Sequence, residues 1–174
     1  MTPSLLFLIG YRGAGKSTVG ALLARQLSWE HVDADEILEA RVGRSIRQIF
    51  VEEGEAGFRI REAALLEELC RREDCVISTG GGVVLGEANR QQLRRAGTVL
   101  WLSADAETVW QRMQADAATR ERRPNLATGG LDEVRELLQV RESLYRGCAD
   151  HVVDTAGRSP SEIVAAILEL LKAD

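Results

Sequence analysis

The sequence predicts one α/β domain, and three observations carry that expectation. Short apolar runs of buried-strand type, Leu5-Leu6-Phe7-Leu8-Ile9, Cys75-Val76-Ile77-Ser78 and Thr98-Val99-Leu100-Trp101-Leu102, alternate with longer stretches of helical periodicity. The first run passes directly into Gly-Tyr-Arg-Gly-Ala-Gly-Lys-Ser-Thr, residues Gly10 to Thr18, which opens a helical pattern. A chain of 174 residues with 45% hydrophobic content suits one sizeable core and leaves little room for a second.

The loop between the first strand and the first helix is a phosphate cradle. Gly10 and Gly15 stand at the spacing G-x-x-x-x-G-K-[ST], where the backbone must curl around an anion with its N–H groups turned inward. The helix N-terminus adds positive potential. Lys16 reaches β- and γ-phosphates as a point charge, and the Ser17 hydroxyl is placed for Mg²⁺. Val19, Leu22, Leu23 and Leu27 continue the helix, and a brief strand ending at Val32 delivers Asp33-Ala34-Asp35. Two acids just past a strand end suit a divalent cation and a hydroxylated substrate; the plainer reading is that one of them caps a helix over Glu36–Val42.

Ser45-x-x-Gln48 is a capping-box pattern before Ile46, Ile49 and Phe50, and Gly54 breaks that short helix. A longer helix follows over Glu55–Arg72, with Phe58, Leu65, Leu66 and Leu69 apolar and with Arg59 and Glu62 three apart, a spacing that usually marks a surface pair. The Cys75–Ser78 strand ends in Thr79-Gly80-Gly81-Gly82, where missing side chains let a ligand lie on backbone N–H groups. That strand lacks the terminal acid many nucleotide hydrolases use for Mg²⁺, which leaves Asp33 as the nearest candidate. A polar-faced helix Glu87–Ala96 closes at Gly97, and Trp101 in the next strand reads as core.

A helix over Ala106–Met113 carries Arg112. The arginine-rich, Pro- and Gly-broken stretch that follows, about residues 114–130, reads as a lid. Leu131–Leu144 is helical with Tyr145-Arg146 at its end, His151–Asp154 is a last short strand, and Ser159-Pro160-Ser161-Glu162 starts a helix over Ile163–Leu171. His31 and His151 have no evident partner in the sequence. Cys70, Cys75 and Cys148 show no metal spacing and read as reduced structural thiols. A net charge of −5 argues against a nucleic-acid binder, and the five-residue N-terminal apolar run is too short for a signal peptide or a membrane span, so a soluble cytoplasmic protein is expected. Because no long exposed apolar element suggests assembly, a monomer is expected.

Taken together, the loop with Lys16-Ser17-Thr18, Asp33-x-Asp35, Gly43-Arg44-Ser45-Ile46, Gly54-Glu55-x-x-Phe58-Arg59-x-x-Glu62, Thr79-Gly80-Gly81-Gly82, Arg123-Pro124, Leu144-Tyr145-Arg146 and Asp154-Thr155 resemble the shikimate kinases, relatives of the nucleoside monophosphate kinases, over nearly the full chain. The resemblance implies three layers, α/β/α, with a five-stranded parallel sheet in the order 2-3-1-4-5, a mobile lid, and a substrate-binding helical segment over about residues 33–62. It implies transfer of the ATP γ-phosphate to the 3-hydroxyl of shikimate with Mg²⁺ as cofactor. ATP would lie on Gly13, Ala14, Gly15, Lys16, Ser17 and Thr18, with Arg112 and Arg158 flanking the adenine. Arg59 and Arg146 would clamp the shikimate carboxylate, Gly81 and Gly82 would contact the substrate by backbone amides, and Asp35 would orient or deprotonate the nucleophile. Asp33 and Ser17 would hold Mg²⁺, while Lys16 and Arg123 would neutralise the transferring phosphoryl group.

The lid departs from the family pattern: Arg123-Pro124-Asn125-Leu126 stands where Arg-Pro-Leu-Leu is common, and the stretch before it is longer, which leaves Arg120 and Arg122 open for the role given to Arg123. A gluconate-type sugar-acid kinase is the alternative, since it shares the loop and the need to bind a carboxylate.

Overall fold

In a computed structural model, which describes residues 4–116 and 130–173, five parallel strands form one sheet in the order β2-β3-β1-β4-β5. They are β1 (Leu5–Ile9), β2 (Glu30–Asp33), β3 (Cys75–Ser78), β4 (Thr98–Ser103) and β5 (His151–Asp154). The helices are α1 (Lys16–Leu27), α2 (Ala34–Val42), α3 (Ile46–Leu69), α4 (Glu87–Ala96), α5 (Ala106–Ala115), α6 (Gly130–Cys148) and α7 (Pro160–Ala173).

The all-apolar β1 follows from burial on both faces. Successive side chains point to opposite sides of a strand. Leu5, Phe7 and Ile9 enter a core with Ile46, Ile49, Phe58, Leu93 and Tyr145, on the side of α3, α4 and α6. Leu6 and Leu8 enter a second core with Val19, Leu23, Ile163 and Ile167, on the side of α1 and α7. Three layers result. With β3 on one side of β1 and β4 on the other, the sheet order reverses at β1, and the crevice beyond its C-terminal end is where open α/β sheets bind ligands.

Local signals hold where the chemistry is local. Ser45 and Gln48 form the capping box of α3, and Gly54 leaves the helical region at φ 71°, so α3 is two helical pieces across a break. Other boundaries differ: α2 begins at Ala34, directly after β2, and α6 runs on to Cys148, so that Arg146 lies inside the helix. A 3₁₀ turn over Val83–Leu85, absent from the sequence reading, follows the glycines. Cys75 and Cys148 are buried, Cys70 is half-buried, none is bonded to another, and burial pushes the Cys70 thiol up to about 11. Among the described residues no helix is long and apolar enough to cross a membrane.

Candidate active site

The loop from Gly10 to Gly15 lies at the sheet crevice. Gly10 has φ 144°, and a Cβ there would stand 2.5 Å from the Leu102 carbonyl oxygen of β4, so glycine is required both by conformation and by space. Lys16, the first residue of α1, is buried, and its Nζ donates to the carbonyls of Gly10 (2.8 Å) and Tyr11 (3.0 Å). The ammonium is therefore folded across the mouth of the cradle. A cleft of about 190 Å³ opens here, lined by Arg12, Gly13, Gly15, Lys16, Ser17, Thr18, Asp33, Asp35, Thr79, Gly81 and Asp116. Of the predicted loop residues, Gly13, Gly15, Lys16, Ser17 and Thr18 thus share one cavity with both aspartates, and Ala14 does not line it.

Asp33 has two jobs in this geometry. Its Oδ1 accepts from the backbone N–H groups of Asp35 (3.0 Å) and Glu36 (3.2 Å), which is an N-cap of α2, so the capping reading is realised. Its Oδ2 accepts from the Ser17 hydroxyl at the start of α1. Two oxygen ligand types therefore meet beside the cradle. Among the described residues no group of three or more His, Cys, Asp or Glu could hold a metal ion, but Mg²⁺ needs only one or two protein oxygens when phosphates and water complete its shell.

Beneath the loop lies a polar contact the sequence reading lacked. His31, left without a partner there, stands across from Val76 in the β2–β3 register, so Ser78 is its same-face diagonal neighbour, and His31 Nε2 lies 3.0 Å from the Ser78 hydroxyl. Ser78 spends its one proton on the Lys16 carbonyl (2.9 Å), which makes Nε2–H of His31 the donor to Ser78. A Cβ on Gly20 would lie 2.6 Å from both groups. Burial lowers the His31 pKa against the opposing charges of Asp33 and Glu36, so the ring is held neutral.

On α3, Arg59 donates to Glu62 Oε2 (2.7 Å) and Glu55 Oε1 (3.3 Å), and its guanidinium lies 5.1 Å from the Phe58 ring centroid. Glu62 is 7% exposed, so this is no ordinary surface pair. The guanidinium rests on Gly82: a Cβ there would stand 2.6 Å from Nη1 and closer still to Nη2. Gly81 is fixed from the other direction, because the buried Tyr145 hydroxyl donates to its carbonyl at 2.6 Å.

Arg146 is not brought to this place. Its guanidinium lies 5.2 Å from the Trp101 ring centroid, pairs with Glu142 at 2.9 Å, and lines a separate groove with Val152, Asp154 and Ala156. The physical reason is helical phase: Tyr145 points to the glycine turn, and the next residue is rotated by about 100°. Arg141, one turn before Tyr145 on the same face, instead stands 5.6 Å from the ring centroid of Tyr11 in the phosphate loop. The spacing Arg141-x-x-x-Tyr145 was the available signal.

Arg112 ties the loop to the far sheet edge, donating through Nη1 to Thr155 Oγ1 (3.0 Å) and more weakly to the carbonyls of Ala14 (3.3 Å) and Gly13 (3.4 Å), and through Nη2 to the Thr155 carbonyl (2.9 Å). Arg158 follows in the exposed turn after β5, its N–H bonded to the Thr155 carbonyl at 3.3 Å. The lid arginines Arg120, Arg122 and Arg123 lie outside the described residues.

A family model described as shikimate kinase matches residues 12–172. A shikimate kinase of Rhodopirellula baltica is 45% identical over 168 residues, covering 96% of this chain and 90% of the relative. The solved shikimate kinase of Acinetobacter baumannii in complex with shikimate is similar in fold at a TM-score of 0.93, with 36% identity over 99% of this chain and 94% of that one. A gluconokinase of Sinorhizobium meliloti matches at a TM-score of 0.66 and 22% identity, a likeness of fold alone. With a family model matched over residues 12–172 and a relative 45% identical over 96% of the chain, the chain belongs to the shikimate kinase family.

Proposed function

We infer that the chain transfers the γ-phosphoryl group of ATP to the 3-hydroxyl of shikimate. The observation that carries this reading is Arg59, a planar cation anchored by buried Glu62 and seated on Gly82 next to the cleft of the phosphate loop. A guanidinium so placed offers its fork to a carboxylate, while Asp35 in the cleft offers an acceptor to ring hydroxyls.

In the mechanism, the loop amides from Gly13 to Thr18 hold the triphosphate at the N-terminus of α1, and Lys16 exchanges the carbonyls of Gly10 and Tyr11 for phosphate oxygens. Asp35 accepts the proton of the attacking hydroxyl or orients it. Ser17 and Asp33 would hold Mg²⁺, which would supply neutralisation of the phosphate charge. Arg123, with Arg120 and Arg122 as alternatives, would meet the same phosphoryl group from the lid. Arg112 and Arg158 would border the adenine. We assign residues 1–174 to a single kinase domain, monomeric and cytoplasmic, with the acceptor segment over about residues 33–62.

For the second arm of the carboxylate clamp, Arg141 takes the place first given to Arg146, because Arg141 faces the phosphate loop and Arg146 faces Trp101. Arg141→Ala is expected to raise the KM for shikimate by more than about tenfold, as for loss of a charge-assisted hydrogen bond. Arg146→Ala is expected to change it by less than about twofold, as for an exposed pair. Steady-state kinetics on both variants check this, and the reverse ranking returns the role to Arg146.

The reaction itself is tested by ADP release over shikimate, quinate, gluconate and nucleoside monophosphates. Turnover with shikimate alone is expected; turnover with gluconate instead would transfer the chain to the sugar-acid kinases.

A further inference from the structure

Several surface arginines of this acidic chain stand with carboxylates: Arg41 with Glu68, Arg44 with Glu52 and Glu53, Arg61 with Glu53, Arg71 with Glu67, Arg72 with Glu30, and Arg135 with Glu107 and Asp132. Arg94 and Arg95 do not. Both are exposed at the end of α4, and among the described residues neither makes an ion pair or a side-chain hydrogen bond.

They line a groove of about 500 Å³ together with Glu87, Arg90, Gln91 and Gly147. The α4 residues follow the spacing i, i+3, i+4, i+7, i+8 and so form one helix face. Opposite them α6 presents Gly147, where an added Cβ would meet nothing within 4 Å, so the far wall is bare. Arg90 is already oriented, because its Nη1 donates to the carbonyls of Val84 (2.6 Å) and Leu85 (3.3 Å), and a guanidinium carries five donors. Glu87, the one acid of the lining, accepts from Gln91 Nε2 at 3.3 Å. Cations in a last helical turn complement the dipole, which accounts for Arg94 and Arg95 being basic. The dipole does not account for the bare Gly147 wall, and Arg90, held one turn earlier by the Val84 and Leu85 carbonyls, keeps its other donors for the same groove.

We propose that this groove is a second anion site, separate from the phosphate loop, for a small multiply charged oxyanion, either a phosphate ester or a polycarboxylate. Three arginines line one open volume with one carboxylate, and forked donors match both ligand classes.

The test is an amide NMR titration of the full chain without Mg²⁺, with inorganic pyrophosphate in one arm and propane-1,2,3-tricarboxylate in the other. Pyrophosphate will also enter the phosphate loop, so shifts at residues 13–18 are followed apart from shifts at residues 90–95 and 147. Saturable shifts at the second set are expected with at least one anion, and which arm responds distinguishes phosphate esters from polycarboxylates. Arg94→Gln/Arg95→Gln should weaken that binding at least tenfold and Gly147→Trp should abolish it by filling the groove, with the loop response and the melting temperature retained. Absence of saturable shifts at residues 90–95 in both arms overturns the site, as does a response that both variants leave intact.

Discussion

Arg59→Ala is expected to weaken shikimate binding by about 2–5 kcal/mol, roughly 30- to 5,000-fold, while ATP affinity stays nearly unchanged. The size follows from desolvation: one partner of a charge pair is removed and the substrate carboxylate then enters the site with its remaining charge uncompensated. The variant has a second effect that must be separated. Glu62, 7% exposed, loses the cation that holds its Oε2 at 2.7 Å, and weakening the pairing of a buried carboxylate destabilises the fold. Arg59→Ala/Glu62→Gln removes that buried charge, so it should melt higher than Arg59→Ala yet bind shikimate no better. Gly82→Ala attacks the clamp from the opposite side, since a Cβ would intrude on both terminal nitrogens of Arg59; it should also raise the shikimate dissociation constant and spare ATP. Calorimetric titration of each ligand separately decides the matter. Equal losses for ATP and shikimate would make Arg59 a structural residue.

How much of this was legible before any coordinates depends on the range of each interaction. The phosphate loop, the Ser45–Gln48 capping box and the Gly54 break are written within a few residues, and the structure has all three. The two-sided burial of β1 was legible because five consecutive apolar residues have no polar face to show. The His31–Ser78 contact was not, because it exists only once β2 and β3 are neighbours in a given register, and nothing near residue 31 names residue 78. Glu62 fell to the same limit: its spacing from Arg59 is that of a surface pair, and only the packing around Phe58 and Gly82 makes it a buried anchor. The position of the Arg146 side chain was not legible for a subtler reason. The tripeptide Leu144-Tyr145-Arg146 marks the right turn of α6, but adjacent helical residues face different ways, and the residue that shares the Tyr145 face is Arg141.

Asp33→Asn should lower kcat on the order of 10²-fold or more at saturating Mg²⁺ while leaving the melting temperature close to that of the parent chain. The substitution separates the two jobs of this side chain. Asparagine keeps an amide oxygen for the backbone N–H groups of Asp35 and Glu36, and Asn and Asp are nearly equal as N-caps, so α2 retains its start. What is lost is the negative charge beside the Ser17 hydroxyl, where the cation of the phosphoryl transfer would sit. ATP affinity should fall less than kcat, because the loop amides and Lys16 still bind the triphosphate and the missing charge matters most as the phosphoryl group moves. Asp33→Ala removes the cap as well and should add a stability loss of about 0.5–2 kcal/mol. Measuring kcat, ATP affinity and melting temperature for the two variants gives a pattern that capping alone cannot produce. If Asp33→Asn turns over at nearly the parental rate and only Asp33→Ala suffers, Asp33 is the cap of α2 and nothing more, and the cation must find its protein ligands elsewhere.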